Sequence, residues 1–291
     1  MMRTRKGHKV YPLTVAQKFH LYYAPHCPSM AVLNIGTSLT IEVDLDWDQL
    51  KKSINEAYAR SEGMRIRFAK DKEGNWYQYI VDPEEQDIEF VDFSDGTLEE
   101  AEAKMREWTR VPFKMQDTQM SRVVMIKMPD GFNGIYFLGQ HMTVDAQSLI
   151  CFLKDIIELY CNAKYEGVPY PKEMCSYIEQ LQKDLAYEAG SKAQQRDIAF
   201  FQKEIEKGEP IYNGIHGTDK LEAAREMFKN PELRTAFNAS DDTTSALDIF
   251  HLEEEPTKRL MDFCEKYHVS LACLLLMGLR TYYQKMNGFD D

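Results

Sequence analysis

The run Gln140-His141-Met142-Thr143-Val144-Asp145-Ala146 holds the residue types best suited to proton chemistry in this chain. An imidazole titrates at roughly pH 6.5, so His141 can take up or release a proton near neutrality. Asp145, four residues on, brings a carboxylate that either pairs with a cation or caps a helix. The bare spacing His-x-x-x-Asp fits a packed histidine with a capping aspartate as readily as it fits a reactive site. Position separates it from a chance pair. Gly134-Ile135-Tyr136-Phe137-Leu138 reads as a buried strand, and Leu149, Ile150, Phe152, Leu153, Ile156, Ile157 and Tyr160 then recur at helical spacing. A strand-to-helix junction holds a side chain rigidly while exposing it at the mouth of a sheet.

The elements that would position this junction alternate in an α/β pattern. Strands are expected over residues 38–43, 76–81, 88–91 and 122–127, where β-branched and aromatic residues cluster between turn formers. Residues 46–61 read as a helix with Leu50, Ile54 and Ala57 on its inner face. Thr97 with Glu100 three residues later is a capping-box pattern, followed by an apolar stripe of Leu98, Ala101, Met105 and Trp108. After Asn162 the character shifts. Gly167-Val168-Pro169-Tyr170-Pro171 starts a linker, and two polar helices are expected near 175–189 and 191–207. A long polar stretch with a helix at 221–228 leads to a strand at 245–252 and helices at 256–267 and 270–286. The last of these is strongly apolar at Leu271, Leu274, Leu275, Leu279 and Tyr282.

Composition narrows the function classes. With 291 residues and 44% hydrophobic content, the chain suffices for one large or two ordinary domains. A formal net charge of −12 argues against a general nucleic-acid binder, which needs phosphate-neutralising Lys and Arg. No apolar run reaches membrane-spanning length, and Arg3-Thr4-Arg5-Lys6 is followed by polar residues rather than a signal core. Six cysteines are scattered without C-x-x-C spacing, so neither a disulfide framework nor a zinc site is expected. Cys151 and Cys161 read as buried thiols, and the cytoplasm is the expected compartment.

Three further segments precede the histidine run: Tyr11-Pro12-Leu13-Thr14-Val15-Ala16-Gln17, Arg60-Ser61-Glu62-Gly63-Met64-Arg65-Ile66-Arg67-Phe68 and Val111-Pro112-Phe113. In this order, from about Val10 onward, the series resembles the condensation domains of nonribosomal peptide synthetases. Their signature His-His-x-x-x-Asp-Gly falls on the histidine run, and their Gly-Phe-Asp-Asp turn on the chain's end. The resemblance implies a two-lobed α/β fold, similar to chloramphenicol acetyltransferase, with mixed sheets flanked by helices. Residues 1–172 would form the N-terminal lobe with the histidine, and residues 173–291 the first part of an incomplete C-terminal lobe. The apolar helix at 270–286 would then lack its usual cover and favour self-association.

The resemblance also implies a reaction. An amine on one carrier-bound thioester attacks another, forming an amide, with both substrates on phosphopantetheine arms of partner carrier protein domains. An adenylation domain is a further expected partner, and no metal or cofactor of the domain's own is implied. His141 would accept the amine proton or orient the amine and the tetrahedral intermediate. Asp145 would pair with an arginine of the second motif, with Arg65 first choice and Arg60 second, or remain an ordinary N-cap. Arg67 reads as a solvent-facing strand residue. Four positions depart from the pattern: Gln140 for the first histidine, Ala146 for the glycine, Ser61 for the histidine of the second motif, and Lys114 for an aspartate. An amide at Gln140 keeps a hydrogen bond but carries no proton.

Two other functions stay open: an acyltransferase using soluble acyl-CoA with an alcohol or amine, and a catalytically silent module that binds a carrier domain. Elsewhere, His20 and His26 read as loop-lining residues, and His216, His251 and His268 lack ligand spacing. Ser148 lacks the context of a serine nucleophile. Asp44, Asp46 and Asp48 lack the glycine and distal Glu of a calcium loop.

Overall fold

The computed structural model describes residues 4–23, 27, 29–208, 214, 215, 217–233 and 249–288. Its elements run β1 (Thr4–Arg5), β2 (His8–Pro12), α1 (Val15–Tyr23), β3 (Asn34–Ile41), α2 (Trp47–Arg60), β4 (Ile66–Lys70), β5 (Trp76–Ile80) and β6 (Glu89–Asp92). Then follow α3 (Leu98–Thr109), β7 (Ser121–Lys127), β8 (Asn133–Gln140), α4 (Ala146–Lys164), α5 (Tyr177–Glu188) and α6 (Lys192–Glu206). The chain continues through α7 (Asp219–Met227), α8 (Glu254–Tyr267) and α9 (Leu271–Asn287).

Two four-stranded sheets form, in the orders β1-β2-β5-β4 and β3-β8-β7-β6. Pairing is antiparallel throughout except for β6 on β7. Side chains alternate across the larger sheet, as the strand period of two requires. Val123, Met125, Ile135 and Phe137 meet α2 and α4 on one face, against Leu50, Ile54, Ala57, Tyr58, Phe152 and Ile156. Val124, Ile126, Tyr136 and Leu138 meet α3 on the other, against Ala101 and Met105. Every residue of β8 is buried, which explains its nearly unbroken apolar sequence. At Gly134 the backbone of β3 comes so close that a Cβ would run into the Leu39 carbonyl oxygen. Only glycine permits that approach.

Local sequence signals account for several boundaries. Asp46 accepts from the Gln49 N–H and caps α2. Thr97 and Glu100 form the expected capping box of α3. Other expectations need correction. Leu98, Ile150 and Ile157 are exposed, because α3 and α4 each bury only a narrow stripe against the sheet. Cys151 is exposed and Cys161 half-buried, so neither is a fully buried thiol. Residues 249–252 are not in a strand; 245–248 lie outside the described residues, as do His26, His216 and Phe289-Asp290-Asp291.

Chain contacts divide the molecule into two compact units, Met1–Gln195 and Arg196–Asp291. The division falls beyond the lobe limit expected at residue 172, because α5 packs into the first unit. Leu181 is 1% exposed, Tyr177 Oη donates to Gln78 Oε1 at 2.7 Å, and Ser176 Oγ donates to Glu62 at 2.9 Å. Within the second unit, α8 packs on α9, while Leu275, Leu276 and Leu279 of α9 stay exposed. No described helix is long and apolar enough to cross a membrane.

Candidate active site

The histidine run is a hydrogen-bonded turn between β8 and α4. The Gln140 carbonyl accepts from the N–H groups of Thr143 (2.9 Å) and Val144 (3.2 Å) and from the Thr143 hydroxyl (3.0 Å). The Gln140 side chain, 1% exposed, uses Oε1 to accept from the Met142 N–H at 2.6 Å. Met142 and Val144 are sunk into two different cores, at 3% and 2% exposure. His141 lies between the buried Gln140 and Met142 and faces outward, its N–H donated to the Leu33 carbonyl at 2.7 Å. Alternating burial thus fixes the backbone and leaves one imidazole presented.

Asp145 is the N-cap of α4. Its carboxylate accepts from the Ser148 N–H at 2.8 Å, and the Asp145 N–H in turn donates to the Ser148 hydroxyl oxygen, also at 2.8 Å. The Ser148 N–H and hydroxyl, with a weaker pull from the His141 imidazole, hold the Asp145 carboxyl below the usual carboxylate range. The expected pairing with an arginine is therefore corrected. Arg65 donates instead to the Val81 carbonyl, and its Nε is buried without a partner. Arg60 pairs with Asp155 on α4, at 2.9 and 3.1 Å, with the two side chains 14% and 5% exposed. It also reaches the Lys172 carbonyl at 2.6 Å and stacks on Tyr170 at 4.9 Å. An arginine of the second motif does brace α4, but at its third turn rather than at its cap.

Arg67 also needs correction: it is half-buried and donates to Gln119 Oε1 at 3.0 Å, since β4 is covered on that side. Ala146 is exposed at the first position of α4, where its methyl meets no obstacle to helix formation. Ser61 is the buried C-cap of α2, and Lys114 is exposed.

Two residues join the site that sequence reasoning passed over. His20 lies on α1, not in a loop, and its ring centroid is 4.7 Å from that of His141. Gln17, 4% exposed, has its Nε2 within 3.2 Å of Gln78 Oε1, Tyr177 Oη and the Met142 carbonyl. The start of α1 carries its own signal: Gln17 N–H donates to Thr14 Oγ1 at 3.2 Å while Gln17 Oε1 accepts from the Thr14 N–H at 2.9 Å. That Thr-x-x-Gln capping box would have placed the helix, and with it His20.

The family model for the condensation domain matches residues 7–291. The chain belongs to the condensation domain family. Among its relatives, surfactin synthase subunit 1 of Bacillus subtilis (strain 168) is 22% identical over 97% of this chain and 7% of its own length. A polyketide synthase-nonribosomal peptide synthetase of Aspergillus clavatus is 24% identical over 94% of the chain and 6% of its own length. The chain thus spans less than a tenth of either relative. Among solved structures, the first condensation domain of the CDA synthetase superposes with a TM-score of 0.71 at 19% identity, covering 96% of this chain and 62% of that one. A starter condensation domain of rhizomide synthetase gives 0.62 at 16% identity, over 77% of this chain and 60% of that one. The fold of this condensation domain is the mixed α/β, chloramphenicol acetyltransferase-like one.

Proposed function

We propose that this condensation domain joins two carrier-bound thioester substrates through an amide bond, with His141 at the reacting centre. The observation that carries the reading is one outward imidazole, held between two buried anchors at the end of a buried strand, in a chain matched to the family over residues 7–291. The amine nitrogen of the acceptor attacks the donor thioester carbonyl, the carbon–sulfur bond breaks, and the thiol and the amide are released. The proton lost from the amine passes to His141 Nε2 or Nδ1 and from there to the departing thiolate or to water. Thioesters have good leaving groups, so holding the amine against the carbonyl supplies much of the acceleration.

On this reading the substrates hang from phosphopantetheine arms of carrier protein domains, and an adenylation domain works beside them. Residues 1–172 correspond to the lobe with the histidine and residues 173–291 to the second, whose first helix, α5, packs against the first. Gln140, bonded to the Met142 N–H, supports the turn in place of an imidazole. Arg60, through Asp155 on α4, and Asp145, through the Ser148 N–H, brace the helix that follows His141 rather than touching the reactants.

The test is amide formation from acyl-carrier and aminoacyl-carrier substrates. The intact protein should turn over, and His141→Ala should lose at least about a hundredfold in kcat, the usual worth of a positioned acid–base group. Turnover with free acyl-CoA and none with acyl-carrier would favour the acyl-CoA-dependent acyltransferase. Carrier binding without turnover, unchanged by His141→Ala, would make the chain a silent binding module. The replacements Gln140 and Ala146 in the signature favour that last alternative.

A further inference from the structure

We infer that His20 is a positioning residue for His141: its ring packs against the His141 imidazole and sets the direction in which that imidazole faces the reacting amine. The inference rests on the reading of His141 given above. Geometry carries it first. The two ring centroids lie 4.7 Å apart with planes inclined by 34°, within the contact range of paired rings. The ring of the preceding residue, Phe19, lies 6.1 Å from that of His20, edge-on at 67°.

The mounting of the two rings is the second, independent observation. Gln17 lies one turn before His20 on α1, and its buried amide reaches the carbonyl of Met142, the residue next to His141, at 3.2 Å. The same amide exchanges hydrogen bonds with Gln78 at 3.0 and 2.9 Å. From the other side, the His141 N–H is tied to Leu33 at 2.7 Å. The helix with His20 and the turn with His141 are therefore fastened to each other close to both rings. An exposed side chain left alone would spread over its rotamers, and ordering it costs free energy. The half-buried His20 ring removes part of that freedom in advance. Burial, and then the neighbouring His141, hold the His20 imidazole below its ordinary range, so at neutral pH it offers an uncharged ring and no repulsion to a protonated partner.

The experiment compares His20→Ala, His20→Leu and His20→Phe in the full chain labelled at histidine, with the His141 ring resonance assigned by its loss in His141→Gln. His20→Ala and His20→Leu should shift that resonance and lower kcat about tenfold, with KM changed by less than about twofold, the pattern of a misaimed group rather than a lost contact. His20→Phe, which keeps a ring without the nitrogens, should restore both. A His20→Phe variant as slow as His20→Ala would overturn the inference, since a ring nitrogen and not packing would then be required. An unmoved His141 resonance in both His20→Ala and His20→Leu would overturn it equally. If the unmodified chain turns over no carrier-bound substrate, the proposed reaction fails by itself. The resonance then decides alone: displaced by Ala and Leu but kept by Phe supports the inference, and anything else rejects it.

Discussion

Replacing Asp155 by alanine would take the carboxylate from the Arg60 guanidinium, 14% exposed, and leave it the Lys172 carbonyl and the Tyr170 ring. Breaking a buried pair from one side costs about 3–5 kcal/mol, and the partners that remain put this one at the lower end. Asp145→Ala removes an exposed cap and should cost only about 1 kcal/mol. Urea unfolding at neutral pH would rank the two, and the reverse order would mean that Asp145 and not Asp155 is the buried partner. The Asp145 contribution also has a pH signature. Its folded carboxyl is held low, so on acidification the unfolded chain takes the proton first. The cap is fully worth its value above about pH 3.9, the unfolded carboxyl value, and fades as pH falls through the lower folded one. That loss should be absent from the acid unfolding curve of Asp145→Ala.

At the scale of elements, β8 depends on Gly134, because a methyl there would run into the β3 backbone at Leu39 and Thr40. Backbone cannot rotate aside as a side chain can, so Gly134→Ala should destabilise by at least about 1–3 kcal/mol, the ordinary cost of overpacking. A thermal melt equal to that of the unmodified protein would show that β3 is free to move away. Strands β7 and β8 were legible in the sequence because helices cover both their faces, leaving long apolar runs bounded by Pro129-Asp130-Gly131. The boundaries of α2 and α3 were legible through their caps. Helix α1 was not, since Val15, Phe19 and Tyr22 are all exposed and give no inward stripe. Apart from Leu21, which packs against the core of Leu13, Phe68 and Met142, what holds α1 is polar: a capping box and one buried amide, neither of which has a hydrophobic period. The Arg60–Asp155 pair left a fainter mark, a lone carboxylate between Phe152 and Ile156 on the buried side of α4. The Arg65 expectation failed because Arg65 is turned to the Val81 carbonyl, while Asp145 caps α4 through Ser148.

At the scale of the whole molecule, the net charge of −12 opposes association of copies, whereas the exposed apolar face of α9 is expected to favour it. Leu275 and Leu279, one turn apart, are 56% and 48% exposed, and Leu276 is 63% exposed. Apolar residues grouped this way mark an association surface. The 291-residue chain should therefore show a concentration-dependent mass by light scattering, and raising the salt should strengthen it by screening the charge. The double replacement Leu275→Lys and Leu279→Lys should return a monomer. A monomer at every concentration without that change would show that the face is inert.

Every residue of β8 is buried and paired with β3, and all but Gln140 are paired with β7; the Gln140 N–H meets the Met120 carbonyl just before β7, and His141 is the next residue along. Central strands of this kind are the last parts of a protein to open, while edges and loops breathe at little cost. The imidazole is thus mounted on the slowest-opening part of its unit, although it is itself exposed to solvent. Fraying away from this sheet and from α1 leaves its mounting untouched. Warming this protein should therefore give no long decline in competence ahead of unfolding: the turn stays set for as long as the sheet does, and the two go together.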